Sequence, residues 1–395
     1  MTSSAEAWRA FCGELSSAAH VLDASHAPQD DLAQAAGLRY LLNLLNSGLE
    51  LVVFGADPQR PEVSRPQDPS RRWGLDCPDA LYGKVALDGR CTYRISAGPG
   101  TPHYIGFNVT AGALGTSTMR SVANASSPGA LERRPDGSFE IVLGPTVDES
   151  SPNHLRLTED AESCGVRQFF ADWDTEQPCH IRVDRLDAPP PPRTDAPDVT
   201  QRELQQLAQF VTRSATTWDS FVTGLRTSSR NTIQSVNVNA SSYGGTPDNC
   251  YGSGYVSLEP GQVAIVEMTP PPCHYWNIQI GDHWFESLDY TYRQTALNHH
   301  QTVLDADGVA RFVIAADDPG YANWLDTGGH AELPLCYRFQ IPRVDASALP
   351  TPALRVLGRD ALDEAMPASA TRISPMERAR LLERRRRAVL DRFGR

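Results

Sequence analysis

Pro102-His103-Tyr104-Ile105-Gly106-Phe107-Asn108 returns 171 positions later as Cys273-His274-Tyr275-Trp276-Asn277-Ile278-Gln279. The same spacing carries Asp136-Gly137 to Asp307-Gly308 and Val166-Arg167 to Tyr337-Arg338. Asn153-His154-Leu155 meets Asn323-Trp324-Leu325 at a spacing of 170. A shared Asp-Gly pair alone would say only that β hairpins turn on similar residues. Several matches in one order at a near-constant offset say that a β unit is duplicated. Each copy reads as strand, hairpin, loop and strand, folded as an antiparallel sandwich-like module.

Working outward, strand-like runs cover Thr92–Ser96, His103–Val109, Phe139–Leu143, Arg167–Phe170 and His180–Leu186 in the first copy. In the second they cover Tyr255–Ser257, Val263–Met268, Tyr275–Ile280, Arg311–Ile314 and Cys336–Ile341. Pro135-Asp136-Gly137 predicts a hairpin joining Leu131–Arg134 to the strand that follows. Helical periodicity frames these units. Trp8, Phe11, Leu15, Ala18 and Leu22 mark a first helix. Leu38, Leu41, Leu42, Leu45, Leu49 and Val52 predict the buried stripe of a second, closed by Gly55. Thr200 and Glu203 suit a capping box that opens a long helix carrying Leu204 to Leu225. Ser374-Pro375-Met376-Glu377 opens a last one. The expected organisation is an N-terminal helical hairpin at 1–60, a first β module at 61–192, a linking helix at 193–230, a second module at 231–345, and a tail with a basic helix at 346–395. The fold class is mainly β.

A chain of 395 residues is too long for one ordinary core, and 40% hydrophobic residues supply two. The formal net charge of −12 argues against nucleic acid or an anionic membrane as partner. Lys84 is the only lysine. The start of the sequence lacks a charged segment leading into an apolar run, so no export signal is expected. No apolar stretch is long enough to span a bilayer. The eight cysteines are scattered without a CxxC, which reads as free thiols in a cytoplasmic protein with no metal and no cofactor. The apolar side of the last helix, with Leu381, Leu382, Ala388, Val389 and Phe393, suggests a surface element that pairs subunits. Its arginines, including the run 384–387, would face solvent.

Phosphate-loop, dinucleotide, nucleophile-elbow and zincin signatures are all missing. Two polar-aromatic clusters remain. One is Trp73, Asp76, Asp79 and Tyr82. The other runs from Tyr275 to His330. Carboxylates beside aromatic rings suit hydroxylated ligands, because rings stack on apolar sugar faces while carboxylates accept hydroxyl hydrogens or move protons. The candidate catalytic residues are Asp326, His299, Asp289 and Asp76. The candidate substrate-binding residues are Arg293, Tyr275, Trp276, Asn298, Asn323, Trp324 and Trp73. Plainer roles compete: Asn323 and Asp326 as loop ties, Asp289 and Arg293 as a salt bridge, Asp76 and Asp79 as turn caps. Adjacent His299 and His300 would face opposite sides of a strand, which disfavours a shared metal.

At Asn323-Trp-Leu-Asp-Thr-Gly-Gly329, Tyr275-Trp276-Asn277, Ser287-Leu-Asp289, Arg167-Gln-Phe-Phe-Ala-Asp172-Trp173 and Trp73-Gly-Leu-Asp76-Cys-Pro78-Asp79, the chain resembles a bacterial family of unknown function, number 1214 of the domain-of-unknown-function series. The likeness runs from about Leu38 to Phe339 and implies a mainly β fold with a helical N-terminal region. Relatives are often exported and fused to a partner domain, number 1254. Without an export signal here, that location is not carried over, and the resemblance implies no chemistry. The functional expectation is a hydrolase or lyase acting on a hydroxylated small molecule or glycan by Asp/His/Tyr acid–base chemistry. The alternatives are a non-catalytic small-molecule or carbohydrate-binding protein and a structural, oligomer-forming accessory protein.

Overall fold

The computed structural model describes residues 3–112, 116, 118–129, 131–148, 150–192, 196–236 and 245–394. The first module holds β1 Ala80–Ala86, β2 Tyr93–Ala97, β3 Tyr104–Ala111, β4 Arg120–Ser127, β5 Phe139–Gly144, β6 His154–Arg156, β7 Ser163–Phe169 and β8 Ile181–Arg185. After the short β9 (Thr232–Ile233), the second holds β10 Asn249–Ser257, β11 Gln262–Met268, β12 Cys273–Ile280, β13 Ala296–Asn298, β14 Ala310–Ala315, β15 Trp324–Asp326, β16 Glu332–Pro342 and β17 Ala353–Gly358. The sheets run β1-β7-β3-β4 and β6-β5-β2-β8 in the first, and β10-β16-β12-β13 and β15-β14-β11-β17 in the second. Strand for strand this is one topology used twice. Even the exception repeats: β5–β6 and β14–β15 pair in parallel.

The duplication reaches side chains. Gly137 and Gly308 both turn at positive φ, where a Cβ would be strained. Asn153 accepts from Glu132 N and donates to the carbonyls of Glu132 and Glu140. Asn323 accepts from Val303 N and donates to the carbonyls of Val303 and Arg311, the equivalent positions. Each module packs its two sheets around its own core, with Tyr93, Phe107 and Phe139 in one and Phe312, Tyr337 and Phe339 in the other. The Leu131–Arg134 hairpin does not form. Arg134 closes the turn on Ser138, and the strand beyond pairs with β2 instead.

The helices are α1 Ser4–Ser17, α2 Asp31–Gly48, α3 Pro197–Ser228, the single turn α4 Leu362–Ala365, and α5 Pro375–Phe393. No helix among the described residues is long and apolar enough to cross a membrane. α3 starts at Pro197, three residues before the expected capping box. Thr200 therefore sits inside the first turn and bonds back to Ala196 O. The stripe of α2 is corrected more sharply. Leu38 and Leu42 are 60% and 65% exposed, while Ala33, Gly37, Tyr40, Asn43, Leu44 and Ser47 are buried. The cause is close approach. A Cβ on Gly37 would come within 2.7 Å of the Trp284 ring and 2.5 Å of Leu22. Small residues thus share the buried face with Tyr40 and Leu44; Leu41, Leu45, Leu49 and Val52 pack partly against the core, and Leu38 and Leu42 are left outside.

α5 is corrected as well. Arg378, Arg385 and Arg392, seven residues apart on one face, are buried. Ala388, Val389 and Phe393 pack within the chain against Leu81, Phe170, Trp173 and Tyr290. Only Arg384 and Arg387 of the arginine run are fully solvent-facing.

Candidate functional site

The modules meet about a local twofold. His103 and His274, each just before or at the start of an equivalent strand, stack with ring centroids 4.2 Å apart. Each Nε2 bonds the other's backbone carbonyl, at 3.0 and 2.9 Å. Tyr104 donates to Asp248 at 2.8 Å, and its equivalent Tyr275 donates to Asp79 at 2.6 Å. The two carboxylates differ beyond that pair. Asp248 is half-buried and takes Asn124 at 3.3 Å. Asp79 is buried and takes Trp173 Nε1 and Asn298 Nδ2 at 2.7 Å and Asn277 Nδ2 at 3.1 Å. α5 closes this side. Arg392 donates to Pro78 O, and the Arg385 and Arg392 guanidinium groups lie 4.4 and 4.6 Å from the Trp173 ring centroid. A carboxylate so saturated by donors holds parts together and has no open position for a reactant.

An open cavity lies where four chain segments converge. Its volume is about 370 Å³, and it is lined by Arg39 of α2, Pro69 and Arg72 of the segment before β1, Asp289, Thr291 and Tyr292 of the β12–β13 connection, and Leu390 of α5. That connection, 281–295, is much longer than its counterpart at 112–119 and leaves β13 short. Trp284 anchors it by bonding Ala33 O at 2.8 Å, and Phe285 stacks on Trp218 at 4.9 Å. Leu75 and Phe285 both hold positive φ, 46° and 62°, and are joined by Leu75 N to Phe285 O at 2.6 Å. Such strain in non-glycine residues costs on the order of 1–3 kcal/mol each and concentrates at functional sites.

Arg72 is the electrostatic centre of this region. Its burial works against the charge, but Glu286, Asp76, Asp282 and Asp289 outweigh it and hold the guanidinium more firmly protonated than usual. Among the described residues it makes no hydrogen bond, and its Nε is buried without a partner. Beneath it, burial pushes the Asp76 carboxyl up to about 7. Burial, reinforced by Asp282, lifts Glu286 well above the carboxylate range, and Asn43 donates to it at 2.5 Å. Burial raises Asp282 too.

Asp76 carries a testable sign. The folded carboxyl keeps its proton to about 7, whereas an unfolded aspartate releases it near 4. The native state therefore binds more protons between those values, and this group's contribution falls as pH rises through them. Asp76→Asn is expected to stabilise the chain at pH 8 by on the order of 4 kcal/mol and to give no gain at pH 4. Urea titrations at the two pH values check this; an equal effect at both rejects the raised carboxyl.

The structure divides the sequence candidates among separate settings. Asp289 is exposed, lines the cavity and accepts Thr291 N at 3.2 Å. Asp76 lies under Arg72 and accepts Ser287 N at 3.4 Å. Asp326 pairs with exposed Arg293 at 2.9 Å and accepts Gly328 N. His299 sits at the modules' junction, 5.0 Å from His103 ring to ring, where burial lowers it to about 4. Tyr275 and Asn298 belong to the Asp79 set. Trp276 and Trp324 are buried in the second module, and Trp324 donates to Ala315 O. Trp73 donates to Pro66 O. Asn323 makes the loop tie that Asn153 makes in the other copy. Asp289 and Asp76 thus come to one region; Arg293 N donates to Asp289 O at 3.0 Å, but its guanidinium turns to Asp326, and neither these two nor Asn323 lines the cavity. Nothing in the sequence singles out Arg39 and Arg72, because isolated arginines on a helix and in a Pro-rich loop carry no spacing signal. Among the described residues no group of three His, Cys, Asp or Glu could hold a metal ion.

The model of a protein family of unknown function, DUF1214, matches residues 82–167 and 262–344, the two modules. A crystal structure of an uncharacterised protein from Burkholderia cenocepacia aligns at 33% identity and a TM-score of 0.85, covering 91% of this chain and 98% of that one. A Vibrio parahaemolyticus protein aligns at 12% identity and 0.48, covering 81% and 98%. No curated protein matches the sequence.

Proposed function

The chain belongs to the DUF1214 family, and from that premise we propose that it binds a small, anionic, hydroxylated molecule in the cavity between α2, the Pro69–Arg72 segment, the 281–295 connection and α5. The supporting observation is the lining itself. Two guanidinium groups, Arg39 and Arg72, make no hydrogen bond or ion pair among the described residues, yet both border one cavity of ligand size. Guanidinium groups suit carboxylate or phosphate oxygens, and Asp289, Thr291 and Tyr292 supply partners for hydroxyls. All eight cysteines stand as free thiols, which supports a reducing compartment such as the cytoplasm.

Calorimetric titration with a panel of hydroxy acids and sugar acids tests the reading. Arg72→Ala is expected to weaken a bound member at least about 10-fold, the loss of one charge-assisted contact. If no member binds, or the variant binds as well, the cavity is not the site.

A second reading is a hydrolase or lyase on the same ligand. It is favoured by the placement of Asp76, a carboxyl near 7, under the cation that would hold the substrate. In that case Asp76→Asn lowers turnover while leaving affinity within a few-fold.

A further inference from the structure

We propose that the ligand is a single amphiphile, with an anionic hydroxylated head on Arg39 and Arg72 and an apolar tail that leaves the cavity over the outer face of α2. This rests on the cavity reading above. Beside the two arginines, the cavity is lined by apolar surface of Pro69, Tyr292 and Leu390. Tyr292 is 59% exposed, and α2 exposes Leu32, Leu38 and Leu42 on the helix that supplies Arg39. Leu42 stands about one turn from Arg39 on the same side, and Leu38 one turn from Leu42. A soluble chain leaves large apolar side chains together outside chiefly where something covers them. The close packing at Gly37 fixes this orientation, so the leucines cannot roll inward.

Charge and size select a single molecule over a bilayer. The chain's net charge of −12 opposes an anionic membrane surface. The two arginines border one recess built from four segments, of a size that fits one head group.

The test is calorimetric titration of the full chain with 3-hydroxybutyrate, 3-hydroxyoctanoate and 3-hydroxydecanoate. Affinity is expected to rise about 2–4-fold per added methylene, the effect of partial to full burial of each. In the double variant Leu38→Ser, Leu42→Ser the dependence on length is expected to vanish, with the shortest acid as internal reference. Both side chains are exposed, so the variant's melting temperature should match the parent's. Arg39→Ala should weaken all three acids by one common factor. Equal affinity along the series overturns the amphiphile and leaves the cavity reading intact. Binding by none of the three overturns the amphiphile; the hydroxy- and sugar-acid panel then decides the cavity separately. Co-flotation with anionic vesicles but no binding of free acids overturns the single-molecule occupant.

Discussion

Asp79→Ala is expected to leave the chain unable to fold stably, or to lower its stability by about 3–5 kcal/mol in urea unfolding. Asp79 is 1% exposed and receives Tyr275, Asn277, Asn298 and Trp173 within 3.1 Å. Alanine would take the shared acceptor from four buried donors, leaving Trp173 Nε1 with none, and would remove a carboxylate that favours the charge of the buried Arg385 and Arg392 guanidinium groups. Each orphaned donor costs about 1–3 kcal/mol where water cannot reach it. The equivalent Asp248→Ala should cost much less, since Asp248 is half-buried and water can replace it. Comparable losses for the two variants would refute the asymmetry drawn here between the two halves of the junction.

Truncation after Ile373 is expected to cost on the order of 5 kcal/mol or more, as much as many whole domains possess. α5 covers Leu81, Phe170, Trp173 and Tyr290 with Ala388, Val389 and Phe393. Its three buried arginines satisfy the carbonyls of Tyr321, Ala322, Ala296 and Pro78. Removing the helix would uncover that apolar surface and also one wall of the cavity, Leu390. Light scattering of the truncated chain should show aggregation. A monodisperse, fully stable product would mean that α5 is a dispensable tail, against the contacts seen.

These two expectations concern parts of the molecule that a sequence exposes unequally. The offset of 171 between His103 and His274 was legible because a duplication copies its landmarks in order, and the strands and Asp-Gly turns between them obey local rules. The candidate site was half legible. Asp76 and Asp289 attracted notice as carboxylates near aromatics. Asp326 has the same setting in sequence but pairs with Arg293 and does not line the cavity. Density of polar residues along a chain does not measure their distance in space.

By itself, then, the sequence determined the mainly β class, the two copies and the helices around them, because periodicity, turn chemistry and repetition are properties of short segments. Only the tertiary structure decided which faces are buried. Leu38 and Leu42 on α2 lost the interior to Gly37 and Ala33, since a tryptophan from far along the chain packs there. Arginines on α5 gained the interior, since carbonyl oxygens and the Trp173 and Phe170 rings await them. It also brought Arg39, Arg72, Asp289 and Leu390 to one cavity. Burial and proximity are set by the sum of contacts from distant segments, and no local pattern encodes that sum.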